Sequence, residues 1–133
     1  MNEAVKFLTD NSVFHISTIG KDGKPKCRPF GLVIEHDGKI WFCTANTKLI
    51  YAELQANPYL EISATSPAFA WMRLSGKAVF ENNMAVKELC LNDQLVKQIY
   101  TTADNPLFEV FYLADAKAVI ADFSGNPPRE YNL

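Results

Sequence analysis

The chain has 133 residues, of which 48% are hydrophobic, and it carries a formal net charge of −2. This apolar content predicts one folded domain over residues 1–133, and the acidic balance argues against a protein that binds nucleic acid or anionic membrane surfaces. No apolar run approaches the roughly 20 residues of a membrane span, and the first residues do not resemble a signal peptide.

Strand and turn signals dominate the first half of the chain. The predicted elements, in chain order, are a helix at 3–10, strands at 13–19, 25–35 and 39–44, a helix at 48–56 and a strand at 59–65. Asp37-Gly38 is a tight hairpin signal between the second and third strands.

The second half begins with a long strand at 69–81, interrupted by Gly76. Apolar residues between 82 and 102 then recur at helical spacing, which predicts two short helices broken near Asn92-Asp93. The state of 107–113 is left open, 118–123 is predicted to be a strand, and the tail after Pro127-Pro128 could pair as a last strand. The fold class is therefore mainly β with inserted helices, a barrel or sandwich of about six strands.

Two long strands contain residues that disturb a sheet. Pro29 and Gly31 lie in one of them and Gly76 lies in the other. Proline removes a ladder donor and belongs at an edge or a bulge, and glycine often marks the close approach of a ligand or of another backbone. Both strands could therefore frame a site.

The stretch from Trp41 to Lys48 reads as a strand that turns into a helix, with Asn46 or Thr47 as the predicted N-cap. Lys48 would place a cation at the positive end of the helix dipole, and no carboxylate follows until Glu53. Free N–H groups beside this lysine describe an anion site, most simply one for phosphate. An ordinary helix start with a solvated lysine is equally consistent with the segment.

Arg28 heads an otherwise apolar strand face, because alternation along the predicted strand puts it on one side with Phe30, Leu32 and Ile34. A buried arginine needs an anionic or carbonyl partner. A strand-end arginine can also extend to water, so two interpretations stay open here.

Three cysteines, Cys27, Cys43 and Cys90, form no Cys-x-x-Cys pair. His15 and His36 are not at metal-ligand spacing from any of them. We expect no metal site, and three reduced thiols in a cytoplasmic protein.

With these features in order, the sequence resembles the FMN-binding split-barrel family, which contains pyridoxamine 5′-phosphate oxidase. The matching segments are 28–31, 41–48, 54–58 and 74–78. The resemblance covers most of residues 1–81 and extends more weakly to the strand that ends at Phe123. It implies a split β-barrel with FMN as cofactor.

The resemblance also implies which residues hold FMN. They are Arg28, Pro29, Phe30, Cys43, Thr44, Ala45, Asn46, Thr47, Lys48 and Trp71. Lys48 with Thr47 would hold the phosphate, Arg28 would reach the phosphate or ribityl region, and Pro29 and Phe30 would present backbone to the ring. Cys43 and Thr44 would contact the ring and the ribityl chain. Trp71 would approach from a later strand, unless it is simply a core aromatic.

In this family two subunits share the flavin, so we expect a homodimer with FMN at the interface. The short chain is more similar to the relatives of nitroimidazole-resistance proteins, which implies an oxidoreductase that passes electrons from a reduced donor to a nitroaromatic or quinone-like acceptor. The resemblance implies that a true pyridoxamine 5′-phosphate oxidase holds its substrate phosphate with a C-terminal segment that carries an arginine and a histidine. No histidine follows His36 here, so oxidation of pyridoxamine 5′-phosphate is disfavoured. A flavin carrier or redox sensor, a haem-binding relative and, least of all, an oligonucleotide-binding barrel are the alternatives.

Overall fold

The computed structural model describes residues 2–133, and the strands in this part of the chain form one antiparallel sheet. The helices are α1 (Glu3–Asp10), α2 (Leu49–Ala56), α3 (Met84–Cys90) and α4 (Gln94–Tyr100). The strands are β1 (Phe14–Ile19), β2 (Pro25–Phe30), β3 (Ile34–His36), β4 (Lys39–Ala45), β5 (Tyr59–Thr65), β6 (Trp71–Phe80), β7 (Phe108–Ala121) and β8 (Arg129–Asn132).

The sheet runs in the order β2-β1-β5-β6-β7-β4-β3, with β8 also beside β7. One edge of β7 pairs with β6 along most of its length. The other edge pairs with β4 near its start and with β8 near its end. The sheet curls without closing between β2 and β3, so the prediction of a mainly β split barrel with inserted helices is confirmed.

The described chain has eight strands where about six were expected, because the predicted strand at 25–35 is divided in two and the tail pairs as β8. The single strand predicted at 25–35 is wrong, because the chain leaves the sheet at 31–33 and separates β2 from β3. Arg28 and Phe30 therefore do not share a continuous strand face with Leu32 and Ile34. The undecided segment 107–113 instead continues into the predicted strand at 118–123, and together they form most of β7.

The structure explains the prolines and glycines that interrupt the predicted strands and turns. Pro29 lies in β2, an edge strand where the missing N–H costs no ladder bond on the open side. At Gly76 the β6–β7 register shifts, and a Cβ there would lie 3.1 Å from Ala114 O. Gly76 therefore marks the close approach of another backbone, and the turn at Asp37-Gly38 has the positive φ angles that its sequence predicts.

The core has two parts that share β4. Ile40 and Phe42 point into the barrel, where they join the larger cluster, while Trp41 points to the other side. There, α3 and α4 cover a second cluster, which explains why β4 reads as a continuous apolar run. The two helices are separate, as predicted. Asn83 and Asp93 are their N-caps, and the side chains of both accept hydrogen bonds from backbone N–H groups. Within residues 2–133 no helix combines the length and the apolar character needed to cross a membrane.

Candidate functional site

A cleft of about 300 Å³ opens where the end of β2, the middle of β4, the start of α2 and one face of α4 meet. Its lining residues are Pro29, Phe30, Gly31, Leu32, Cys43, Thr44, Lys48, Asp93, Leu95, Val96, Ile99 and Tyr100. The cleft thus joins the two sequence segments, 28–31 and 41–48, that carried the family resemblance.

Thr44 provides a buried polar atom in this cleft. Its side chain is 2% exposed, and its Oγ1 has no hydrogen-bond partner among the described residues. Leaving a buried hydroxyl unpaired costs about 1–3 kcal/mol. A ligand with a polar group at this position would remove that cost.

Lys48 stands at the mouth of the same cleft and is the N-cap of α2, with extended backbone and no side-chain cap. The prediction that Asn46 or Thr47 caps the helix is wrong. The Asn46 amide donates instead to Pro106 O at 2.8 Å and to Glu109 Oε2 at 3.1 Å, and Thr47 is exposed. The first turn of α2 contains no acidic residue, and within residues 2–133 no carboxylate forms an ion pair with the Lys48 ammonium.

The wall formed by α4 was not predicted as part of the site. Leu95 and Ile99 lie one turn apart and are 64% and 55% exposed. The helical spacing of these residues was visible in the sequence, but the spacing does not say which turns are covered by the core. Their exposure next to Pro29 and Phe30 gives the cleft an apolar side suited to a flat ring.

Cys43 lines the cleft, and the fully buried Cys90 lies behind it at the end of α3. A hydrogen bond from the Cys90 thiol lowers the pKa of Cys43, an effect that burial and the Asp93 carboxylate oppose and Lys48 reinforces. The same contact and burial raise the pKa of Cys90. Burial, together with the two nearby thiols, raises the pKa of Tyr100 to about 12.

Arg28 lies outside the cleft lining, and its guanidinium is bound within the chain. Nη1 donates to Ile16 O at 3.2 Å and to Thr18 Oγ1 at 2.8 Å, and Nη2 donates to Glu53 Oε1 at 2.6 Å. Thr18 Oγ1 also donates to Glu53 Oε1 at 2.8 Å. Glu53 of α2 is therefore the anionic partner that a buried arginine needs. The expected contact between Arg28 and a cofactor stays a prediction.

The remaining predicted site residues are placed elsewhere in the monomer. Trp71 packs on Phe123 with ring centroids 5.1 Å apart and is only partly buried, so it is not a core aromatic. Ala45 is buried in the cluster under α3 and α4. One chain thus brings Pro29, Phe30, Cys43, Thr44 and Lys48 together, while Arg28, Ala45, Asn46, Thr47 and Trp71 do not line the cleft.

A family model for pyridoxamine 5′-phosphate oxidase matches residues 1–122. The chain belongs to this family. The suspected resemblance is thereby confirmed over nearly the whole chain, including the weakly matching second half.

Solved structures of three other proteins have a fold similar to that of this chain. A NimC/NimA family protein from Clostridium acetobutylicum is 31% identical, with a TM-score of 0.88 over 98% of this chain and 90% of that one. An FMN-binding protein from Nostoc punctiforme is 15% identical, with a TM-score of 0.70 over 96% and 85% of the two chains. A haem-binding protein from Mycobacterium smegmatis is 18% identical, with a TM-score of 0.76 over 98% of this chain and 56% of that one.

The last two likenesses show the shared fold alone, and curated proteins give no match to this chain. Proteins of one fold thus bind different cofactors. The choice between cofactors depends on the residues of this chain.

Proposed function

We propose that the protein is an FMN-dependent oxidoreductase that acts as a homodimer and holds its flavin in the cleft between β2, β4, α2 and α4. The observation that carries this proposal is the buried Thr44 hydroxyl, which lacks a partner and belongs to a residue that lines the same cleft as Lys48. The Thr44 hydroxyl suits a polar atom of the ribityl chain or ring, and the Lys48 ammonium suits a phosphate.

The phosphate end is proposed at the start of α2. Here the first N–H groups of the helix, the exposed Thr47 hydroxyl and Lys48 supply donors, and the first turn brings no competing carboxylate. A lysine at this end of the helix dipole is unfavourable by itself. A bound phosphate would reverse the sign of that interaction, which gives the lysine a physical reason to be there.

The ring end is proposed between Phe30 and the exposed α4 side chains Leu95 and Ile99, with Cys43 at the base. Bound FMN would supply hydride and single-electron transfer. The residues of the chain would bind the phosphate, orient the ring through Thr44 and the β2 backbone, and exclude water with the apolar wall. This division of labour requires no acid or base from the protein.

A second copy is proposed to complete the site. The surface area of the chain is 7655 Å², whereas a monomer of 14.9 kDa typically exposes about 7,000 Å². The exposed large apolar side chains include Leu95 and Ile99 at the cleft rim. A partner that covers this rim would both bury it and close the cleft over the ring.

The cleft offers haem no histidine ligand, because His15 and His36 both lie outside its described lining. His15 is exposed on β1, and His36 ends β3 beside the hairpin turn. The visible spectrum of the purified protein separates the two cofactors, since a flavin and a haem absorb at different wavelengths. We expect a flavin spectrum, and release by denaturation should give FMN; a haem spectrum would overturn the proposal.

The phosphate contact is tested by Lys48→Ala, with Lys97→Ala as the matched control, because Lys97 lies on α4 and outside the cleft lining. A charge-assisted contact contributes roughly 1.5–3 kcal/mol, so Lys48→Ala should weaken FMN binding about tenfold to a hundredfold. Riboflavin binding and the control should change little. Equal loss of FMN and riboflavin would refute the phosphate assignment.

Turnover is tested by anaerobic mixing with a reduced nicotinamide, followed by a nitroaromatic or a quinone. A reductase should lose its flavin absorbance with the donor and regain it with the acceptor. A flavin that no reduced nicotinamide bleaches would favour a carrier or sensor. The expected setting is the reducing cytoplasm, in keeping with three free thiols.

A further inference from the structure

We propose that Cys43 and Cys90 form a redox-active dithiol that a small peroxide entering the cleft oxidises to an intramolecular disulfide. The proposal concerns residues of the protein itself and applies when no flavin fills the cleft, because the proposed ring position lies over Cys43. The dithiol would be a two-electron redox centre in the cleft wall, in addition to the proposed flavin. Its oxidant would be hydrogen peroxide or a small organic peroxide.

The placement of the two thiols supports this reaction. Cys43 is partly exposed on β4 and lines the cleft, so a small oxidant can reach its sulfur. Cys90 is fully buried at the C-terminus of α3, which packs against β4. Cys43 packs against the buried cluster that contains Cys90. Cys43 is therefore placed as the attacking thiol and Cys90 as the resolving thiol.

The surroundings favour attack by Cys43. The Cys90 hydrogen bond and the positive charge of Lys48 both stabilise the Cys43 thiolate, and the thiolate is the nucleophile in such chemistry. Cys90 is followed by the turn 91–93, before α4 begins. A turn beside the second cysteine allows the small movement that a disulfide bond requires.

The chemistry balances with peroxide as the only co-reactant. The Cys43 thiolate attacks one peroxide oxygen and the O–O bond breaks, which leaves a sulfenic acid on Cys43. The hydroxide released from hydrogen peroxide, or the alkoxide released from an organic peroxide, takes up the proton that the Cys43 thiol lost and becomes water or an alcohol. The Cys90 sulfur then attacks the Cys43 sulfur, and its proton leaves with the hydroxyl group as water. Two thiols lose two electrons and the peroxide gains two.

The test uses a Cys27→Ser protein, which removes the exposed third thiol and its side reactions. The purified protein, freed of flavin, is treated with hydrogen peroxide, denatured and alkylated with N-ethylmaleimide. Its intact mass is then measured, and the bond is located by peptide mapping. We expect both thiols to become unreactive together, with a mass two hydrogens below that of the dithiol and a Cys43–Cys90 cross-linked peptide. Dithiothreitol should restore both thiols.

Two double variants separate the two roles. In Cys27→Ser/Cys90→Ala, Cys43 should stop at the sulfenic acid, which dimedone traps; in Cys27→Ser/Cys43→Ala, Cys90 should stay alkylatable. The Cys27→Ser protein decides the question even if a double variant folds poorly. Two thiols that remain alkylatable after peroxide, or a disulfide joining two chains, would overturn the proposal.

Discussion

Truncation of Arg28 to alanine should destabilise the protein strongly, because it leaves Glu53 buried without its cation. The Glu53 side chain is 6% exposed and the Arg28 side chain 24% exposed. The change removes donors to Ile16 O, Thr18 Oγ1 and Glu53 Oε1 in one step. The contact also joins β2 to α2, so its loss affects two elements of the cleft.

Breaking a buried ion pair from one side costs about 3–5 kcal/mol. We expect about 3 kcal/mol, the lower end, because the hydroxyl of Thr18 still donates to Glu53 after the change and water can enter where Arg28 was partly exposed. An unfolding entropy of about 2.1 cal/mol/K per residue gives about 280 cal/mol/K for 133 residues. The melting temperature should therefore fall by about 11 °C.

Calorimetry or urea unfolding of the flavin-free protein measures this loss, at one protein concentration because a dimer's stability depends on it. Arg73→Ala is the matched control: Arg73 forms an ion pair with Glu61, but the two side chains are 64% and 39% exposed, so the loss should stay below about 1 kcal/mol. Glu53→Gln keeps an acceptor for both donors and should cost less than Arg28→Ala. If Arg28→Ala and Arg73→Ala cost the same, the argument for a buried pair is refuted.

Three further outcomes are expected. Gly76→Ala should lower stability by about 1–3 kcal/mol, because its Cβ would meet Ala114 O at 3.1 Å; Gly31→Ala, whose Cβ would lie 3.5 Å from Ser12 O, should cost less, and equal losses in urea unfolding would contradict this. The FMN-loaded protein should sediment as a dimer at micromolar concentration, and a fully loaded monomer would rule out a shared site. Pyridoxamine 5′-phosphate should not be oxidised at a meaningful rate, since the described cleft lining has one basic side chain, Lys48, which is assigned to the FMN phosphate; rapid, saturable formation of pyridoxal phosphate would reverse that conclusion.

The sequence alone determined the local elements whose signals lie within a few residues. The helix at 3–10 has the predicted bounds, the Asp37-Gly38 turn has the predicted positive φ, and the break between α3 and α4 falls near Asn92-Asp93. Each depends on capping, turn chemistry or periodicity, which act between neighbours in the chain. The order of the motifs also identified the family, and five of the residues it implied do line one cleft.

Only the tertiary structure decided which distant groups meet. Arg28 carries a charge that requires a partner, but nothing near it in sequence indicates that Glu53, 25 residues away, supplies it. The apolar spacing of α4 predicted a helix, yet the packing of that helix left Leu95 and Ile99 uncovered beside the cleft. The Cys43–Cys90 contact exists because α3 packs on β4. Periodicity and capping are local, whereas ion pairs, exposed faces and thiol contacts depend on how the sheet curls and on which elements it brings together.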